Sequence, residues 1–295
     1  MPRLKTLSFA DLLSSGNQTA LMEVIRDYDQ KILDLVEGMA GEVKAILNTL
    51  PGPGIGAITR RAMYIQQQQQ IYDLANQMWI GDIPETVTSG LRVTTQLATN
   101  ANQQLFSLLS ATVPSSASYL SHSMYRTADI AFADLRSRFI NDIDLSPTVY
   151  RNAALTTGKI DTIVNDGILA GASAAEIASD VEGYINPSTP GGAKYAAQRL
   201  GRTELNNAYR TTSKNSYIQS PYVTAVQWVL SGSHPDEDDC DELANADDFG
   251  LGPGVYPPAE CPDGPHPNCF CYEVPITPSP EQFENNLENG VYDCG

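Results

Sequence analysis

The segment from residue 231 to residue 295 lacks lysine and arginine altogether. It carries 15 aspartate and glutamate residues, which account for most of the net charge of −17. Non-specific DNA binding depends on cationic side chains that neutralise phosphates. We therefore exclude broad DNA binding through this segment and interpret its charge first as a solvated acidic surface that keeps the protein soluble.

Long hydrophobic runs are also missing. No window approaches the roughly 18 apolar residues of a membrane-spanning helix, and nothing near Met1 combines a basic start, an apolar run and a cleavage site. We expect no membrane span and folding in a reducing cytoplasm. In that compartment closely spaced cysteines are metal ligands more often than disulfides.

Catalytic motifs are scarce as well. The chain has three histidines, His122 stands alone on a helical pattern, and neither H-E-x-x-H nor H-x-E with P-C-x-x-C occurs. The glycines of Pro51–Gly56 are followed by no G-K-S/T, which argues against a phosphate loop. The acidic run beginning at Pro235 lacks the glycine and spacing of an EF-hand loop. We expect a protein that is not an enzyme.

Helical periodicity dominates the first half of the chain. Apolar residues between Asn17 and Leu50 recur at steps of three and four, which predicts a long bundle or coiled-coil helix. Breaks at proline and glycine separate further predicted helices over 57–79, 85–111 and 119–140. The five glutamines 66–70 lie within the second of these and are expected to cover its surface.

The predicted fold class is mostly α. A long-helix N-terminal arm or bundle is followed by a small α+β C-terminal domain that a Cys/His metal site staples. Shorter helices are predicted near 149–170, after Ala172, where Ser173 and Glu176 fit a capping box, and over 193–215. The alternating A-V-Q-W-V-L around Trp228 predicts a half-buried strand, which we expect to pair with a second strand over 270–274. The expected core of the C-terminal domain is Ala208, Val226, Trp228, Leu230, Leu243, Tyr256 and Tyr272. The predicted division is a helical arm at 1–144, a helical connector at 145–192, a C-terminal domain with the Cys/His cluster at 193–276, and an acidic proline-rich tail at 277–295.

Most of the soft metal donors fall into one short stretch. A structural zinc ion takes four ligands in a tetrahedron, and thiolates with one imidazole suit it. We predict Cys240, His266, Cys269 and Cys271 as the ligands, with His234 and then Cys261 as the next candidates. Three alternatives stay open at this point: a Cys2His2 set that includes His234, a metal-free loop of buried cysteines, and a Cys240–Cys261 disulfide.

The order of motifs from Arg202 onward resembles the phage Mu F-like family of minor head, or head morphogenesis, proteins. That family has an R-T-E helix, a strand with a tryptophan, and a Cys/His-rich loop that ends in H-P-x-C-x-C before a closing strand. The present chain supplies them in that order over roughly 148–276: Arg202-Thr203-Glu204, Trp228 in A-V-Q-W-V-L, and P-H-P-N-C-F-C-Y. It departs from the common pattern by having C-F-C in place of C-R-C, and by Cys261.

The resemblance implies a minor capsid protein of a bacteriophage. Such a protein would assemble in the bacterial cytoplasm, occupy the virion at the portal vertex, contact the portal or major capsid protein, and act in genome packaging, retention or ejection. A homo-oligomer around the portal is a further expectation. The alternatives are a virion-delivered toxin-like or metal-dependent enzyme and a non-viral adaptor with a zinc-stapled module.

Two sets of charged residues have competing interpretations. Arg202 and Glu204 point to different sides of a helix, so we expect Arg202 to support the acidic metal loop and Glu204 to meet a nearby donor; an ADP-ribosyltransferase-like or hydrolytic site is the alternative. If the N-terminal arm touches DNA, its arginines are the candidates, although scattered arginines are usually only solvated: Arg60, Arg61, Arg92, Arg126, Arg136 and Arg138.

Overall fold

The computed structural model describes residues 9–112, 145–187, 190–232, 234 and 237–291, and it is mostly helical. The first half contains α1 (Phe9–Leu47), α2 (Ala57–Asn76), a π-helical turn (Gln77–Asp82) and α3 (Ile83–Thr112). Three helices follow: α4 (Leu145–Ala170), α5 (Ala174–Ile185) and α6 (Ala193–Gln219). The C-terminal elements are β1 (Ala225–Val229), α7 (Asp239–Asn245), β2 (Val255–Tyr256), a 3-10 turn (Pro258–Glu260), β3 (Tyr272–Ile276) and α8 (Pro280–Glu288).

The long helix α1 confirms the periodicity of its sequence. Its buried positions follow one stripe that includes Leu21, Ile25, Ile32 and Val43. The stripe drifts slightly from the predicted one, because Val36 and Leu47 are buried whereas Leu35 and Ile46 are half-buried. A straight helix of 3.6 residues per turn requires such a drift relative to a strict heptad.

The second and third helices are continuous through the π-helical turn. Pro84 stands in the first turn of α3, where a missing N–H is tolerated. The glutamines 66–70 are exposed or half-buried on α2, as their flanking apolar residues indicate. The helix predicted over 119–140, which includes His122, lies outside the described residues.

The short helices that follow are fixed by their caps. Ser173 Oγ accepts the Glu176 N–H, and the Glu176 carboxylate accepts the Ser173 N–H, so the predicted capping box is present. The α6 helix, which carries R-T-E, extends four residues beyond the predicted Asn215.

The small sheet is antiparallel, with strand order β2-β1-β3. The predicted pairing of the tryptophan strand with the closing strand is confirmed, since Trp228 lies opposite Glu273 and Val226 opposite Pro275. Val226, Trp228 and Tyr256 are fully buried, as predicted, while Leu230 and Leu243 are partly buried against the same core.

The chain divides into two compact units that are not consecutive in sequence. One takes its described residues from Met1–Ile25, Gly90–Ile140 and Thr203–Gly295, and the other from Arg26–Ser89 and Asn141–Arg202. The predicted linear division into arm, connector, domain and tail stays a prediction about sequence segments. Across the described part of the chain, no helix has the length and apolarity needed to cross a bilayer.

Candidate metal centre

The candidate ligands are delivered by a short helix and a tight turn. Cys240 lies in the first turn of α7, which Asp238 and Asp241 close with a capping box. The Asp238 carboxylate accepts the Cys240 N–H at 2.7 Å and so fixes the start of this helix. In the H-P-N-C turn, Asn268 adopts a φ of 62°, a left-handed conformation that asparagine tolerates better than most residues.

Cys240, His266 and Cys269 converge. The Cys240 Sγ lies 3.3 Å from the Cys269 Sγ and 3.4 Å from the His266 Nε2, and the three atoms are all within 4.8 Å of one another. With metal–sulfur bonds near 2.3 Å, sulfurs on a tetrahedral ion are roughly 3.8 Å apart. These three side chains could therefore hold a metal ion.

The hydrogen bonds of His266 define which ring nitrogen is available. Its Nδ1 lies 3.0 Å from the Pro267 carbonyl oxygen, which only accepts, so Nδ1 carries the proton. The Nε2 atom faces both the Cys240 sulfur and the Asp238 Oδ2, the latter at 3.0 Å. In that tautomer Nε2 carries the lone pair, so it is the atom through which the ring could bind a metal ion.

Cys271, the fourth predicted ligand, lies beside these three. Its thiol contacts the sulfurs of Cys269 and Cys240, and its Sγ accepts the Ser231 N–H at 3.5 Å. It is not part of the set of atoms that all lie within 4.8 Å of one another. The structure therefore brings three of the four predicted ligands together and leaves Cys271 adjacent to them.

His234 forms a second group with Asp238 and Asp241. Its Nε2 lies 2.7 Å from the Asp241 Oδ2, while its Nδ1 faces the Cys271 sulfur at 3.9 Å. A histidine that is bonded to a carboxylate through one nitrogen and faces a metal site through the other has the arrangement typical of a metal ligand, with the carboxylate as its outer partner. The hydrogen bond to Asp241 raises the pKa of His234.

The pKa values of the three neighbouring thiols are shifted in different directions. The hydrogen bond from Cys271, followed by the charge of Arg210, lowers the pKa of Cys269 to about 4. Burial and the hydrogen bond with Cys269 raise the pKa of Cys240 to about 12, and the hydrogen bond with Cys269 is the main cause that raises the pKa of Cys271. Without an ion the group thus favours one thiolate at Cys269, and binding of a divalent cation would release the remaining thiol protons.

Cys261 is not part of this centre. The described residues form two groups that could hold an ion, and Cys261 belongs to neither. Its thiol is buried near Glu273, and burial is the main cause that raises its pKa. The cysteines Cys240, Cys261, Cys269 and Cys271 are all free, so the alternative of a Cys240–Cys261 disulfide is wrong for this structure.

The role expected for Arg202 is wrong. Its guanidinium forms a bidentate ion pair with the carboxylate of Asp29: the Nε–Oδ1 distance is 3.1 Å and the Nη2–Oδ2 distance is 2.5 Å. Arg210, two turns further along α6, contacts the cysteine loop instead. Arg202 was singled out because it belongs to the R-T-E triplet. Arg210 lies eight residues later on the same helix, and nothing in the local sequence indicates that it is the arginine that reaches the cysteine loop.

Other residues that bind the cysteine loop were also missed from sequence. The backbone carbonyls of the C-F-C segment accept hydrogen bonds from buried side chains: Asn206 donates to Cys269 O, and Gln18 donates to Phe270 O at 2.9 Å. The Asn268 N–H donates to the Thr203 hydroxyl at 3.3 Å. The R-T-E helix thus packs directly on the turn that presents Cys269.

The arginines considered for DNA contact differ in their exposure to solvent. Arg60 is 1% exposed and is not available to a phosphate backbone, so its proposed contact is wrong. Arg61 and Arg92 are exposed. Arg126, Arg136 and Arg138 lie outside the described residues.

Comparison of the chain with protein-family models, with curated proteins and with solved structures found no match.

Proposed function

We propose that this protein is a bacteriophage minor head protein whose C-terminal Cys/His centre holds one structural zinc ion. The observation that carries the proposal is the packing of the motif elements on one another. Thr203 of the R-T-E triplet bonds to Asn268 of H-P-N-C, and Asn206, one turn later, bonds to Cys269. Trp228 lies under the guanidinium of Arg210 from the same helix.

Zinc is the ion that suits the donors. Thiolates with one imidazole select zinc over hard cations such as magnesium and calcium, which prefer oxygen ligands. Cys240 and Cys269 are almost completely buried, which suits a closed structural site more than a catalytic site with an open position. The proposal therefore includes no catalytic step.

The long helices supply the contact surface for assembly. Large apolar side chains are exposed on α2 and α4, among them Ile58, Ile65 and Leu155. A helix of a portal or shell protein, or of a second copy of this chain, would bury them by helix-in-groove packing. In this proposal the helices make the assembly contacts and the zinc-stapled module is a compact second body.

The test is to locate the chain in assembled particles. We expect it to copurify with DNA-filled heads in a fixed ratio to the portal protein, and to occupy density at the portal vertex in a cryo-EM reconstruction without imposed icosahedral symmetry. Coexpression with the portal protein alone should give a complex on size-exclusion chromatography. Absence of the chain from both procapsids and finished heads would overturn the proposal.

A further inference from the structure

Arg210 is bonded to the cysteine loop at several points. Its Nη2 atom donates to the Cys269 Sγ at 3.0 Å, to the Cys269 carbonyl oxygen at 3.3 Å and to the Cys271 carbonyl oxygen. All three contacts come from this one nitrogen, which bonds to the carbonyl oxygens on both sides of Phe270 and so fixes the direction of the C-F-C segment.

The charge of Arg210 is enclosed in the protein. The residue is 5% exposed, and burying an uncompensated charge is strongly unfavourable. Of the groups it bonds to, two are neutral carbonyls and only the Cys269 sulfur can become anionic. Glu273 is a nearby buried acid, but its oxygens accept no hydrogen bond from a nitrogen or oxygen.

Trp228 and Gly264 restrict where the guanidinium of Arg210 can lie. Its Cζ lies 5.2 Å from the centre of the Trp228 ring, within the range of a cation–π contact. Gly264 also lies next to the guanidinium, since an added Cβ there would collide with Arg210 Nη1. A glycine here therefore makes room for the arginine.

A charge count links Arg210 to the choice of ligands. A divalent ion with two thiolates, one neutral imidazole and a water or second imidazole is neutral, so the centre itself would offer the buried arginine no negative charge. The nearby Glu273 interacts with Arg210 through its charge but makes no hydrogen bond to it. With a third anionic ligand the centre carries one negative charge, which Arg210 balances. Cys271 fits that place, since Arg210 binds its carbonyl and the Ser231 N–H donates to its sulfur.

We propose that Arg210 is the positioning residue of the metal centre: it orients the Cys269–Cys271 segment and balances the charge of a third thiolate, so that the centre takes one zinc-class ion with Cys240, Cys269, Cys271 and one imidazole. This inference rests on the proposed zinc centre and extends it to a residue that is not a ligand.

The test uses the full chain and the Arg210→Gln variant, which keeps a polar side chain and removes the charge. Zinc affinity is measured by competition with a chromophoric chelator. We expect binding to weaken by about 10- to 100-fold, the usual effect of removing an outer partner of a metal site. The matched control is Lys214→Gln, one turn away on α6, which removes the same charge and its ion pair with the exposed Asp263 but no hydrogen bond to the C-F-C segment.

Cobalt(II) in place of zinc gives a readout that general destabilisation would not produce. The sulfur-to-cobalt charge-transfer band reports the number and environment of bound thiolates. We expect it to shift in Arg210→Gln and to lose intensity in Cys271→Ser, while Lys214→Gln leaves it unchanged. The Arg210→Lys variant keeps the positive charge but loses the planar guanidinium, so we expect its zinc affinity to lie between those of the wild type and Arg210→Gln.

Equal zinc affinity of Arg210→Gln and the wild type would overturn the inference. If Arg210→Gln does not fold, the cobalt spectrum of Cys271→Ser decides in its place, and a charge-transfer band unchanged from that of the wild type overturns the inference. A wild-type chain that binds no zinc at all would instead overturn the proposed centre itself, so the two failures are distinguishable.

Discussion

The four cysteines that the structure describes have different surroundings although all of them are buried. Cys240 and Cys269 lie with His266 in one group of possible ligands, whereas Cys261 is in neither group. We expect Cys240→Ser and Cys269→Ser to lose the zinc that the wild type retains after gel filtration, because a hydroxyl is a poor replacement for a thiolate. Metal content measured by mass spectrometry checks this.

The control for those variants is Cys261→Ser, which removes a buried thiol of the same module. It should keep one zinc per chain. Loss of zinc in Cys261→Ser together with retention in Cys240→Ser would contradict the assigned group.

The buried carboxyl of Glu273 should make the stability of the protein depend on pH. Burial raises the pKa of its carboxyl from 4.5 to about 7. Between these values the folded protein binds more protons than the unfolded chain, so this group lowers stability as the pH rises toward 7, and the full effect remains above it. Glu273→Gln should therefore be more stable than the wild type at pH 8, by up to about 3 kcal/mol, and nearly equal at pH 4.

Urea unfolding measures this difference, with the variant and the wild type compared at each pH under the same metal conditions, because thiolate ligands release their ion at pH 4. The exposed Glu260 of the same module is the control, and Glu260→Gln should show no pH-dependent gain. A Glu273→Gln variant that is less stable than the wild type at pH 8 would show that the carboxylate has a stabilising partner.

At the scale of elements, close helix packing depends on Gly201. An added Cβ on this residue of α6 would collide with Ile32 Cδ1 of α1. Alanine normally improves a helix by about 1 kcal/mol relative to glycine, but overpacking typically costs about 1–3 kcal/mol. We expect Gly201→Ala to destabilise the protein on balance, as measured by its free energy of unfolding.

The matched control is Gly158→Ala on α4, where an added Cβ meets no atom within 4 Å. This variant should be neutral or stabilised, since only helix propensity acts there. Stabilisation by both substitutions would mean that α1 and α6 are not in close contact at Gly201.

Sequence alone predicted the elements well and the long-range contacts poorly. Helix periodicity, the Ser173 capping box and the pairing of the Trp228 strand are local or short-period signals, and each is confirmed. The partners of the metal loop are not: Gln18, Asn206 and Arg210 are ordinary polar residues on helices. Only the folded arrangement shows that they reach the C-F-C segment.

The molecule as a whole divides into two compact units. All of the candidate ligands belong to the unit that contains Thr203–Gly295, and the described residues of the other unit contain none of them. We expect chelation of zinc to increase amide hydrogen exchange around Cys240 and Cys269 while α2 and α4 keep their protection. Uniform loss of protection over both units would contradict this expectation.

The bond from Gln18 to the Phe270 carbonyl joins residues 252 positions apart. A ribosome adds about 5–20 residues per second, so the beginning of α1 emerges tens of seconds before the loop it binds. This hydrogen bond therefore forms only after nearly the whole chain has been synthesised. A C-terminal fragment expressed without α1 would lack this donor, and the full-length chain is the better starting material for recombinant production.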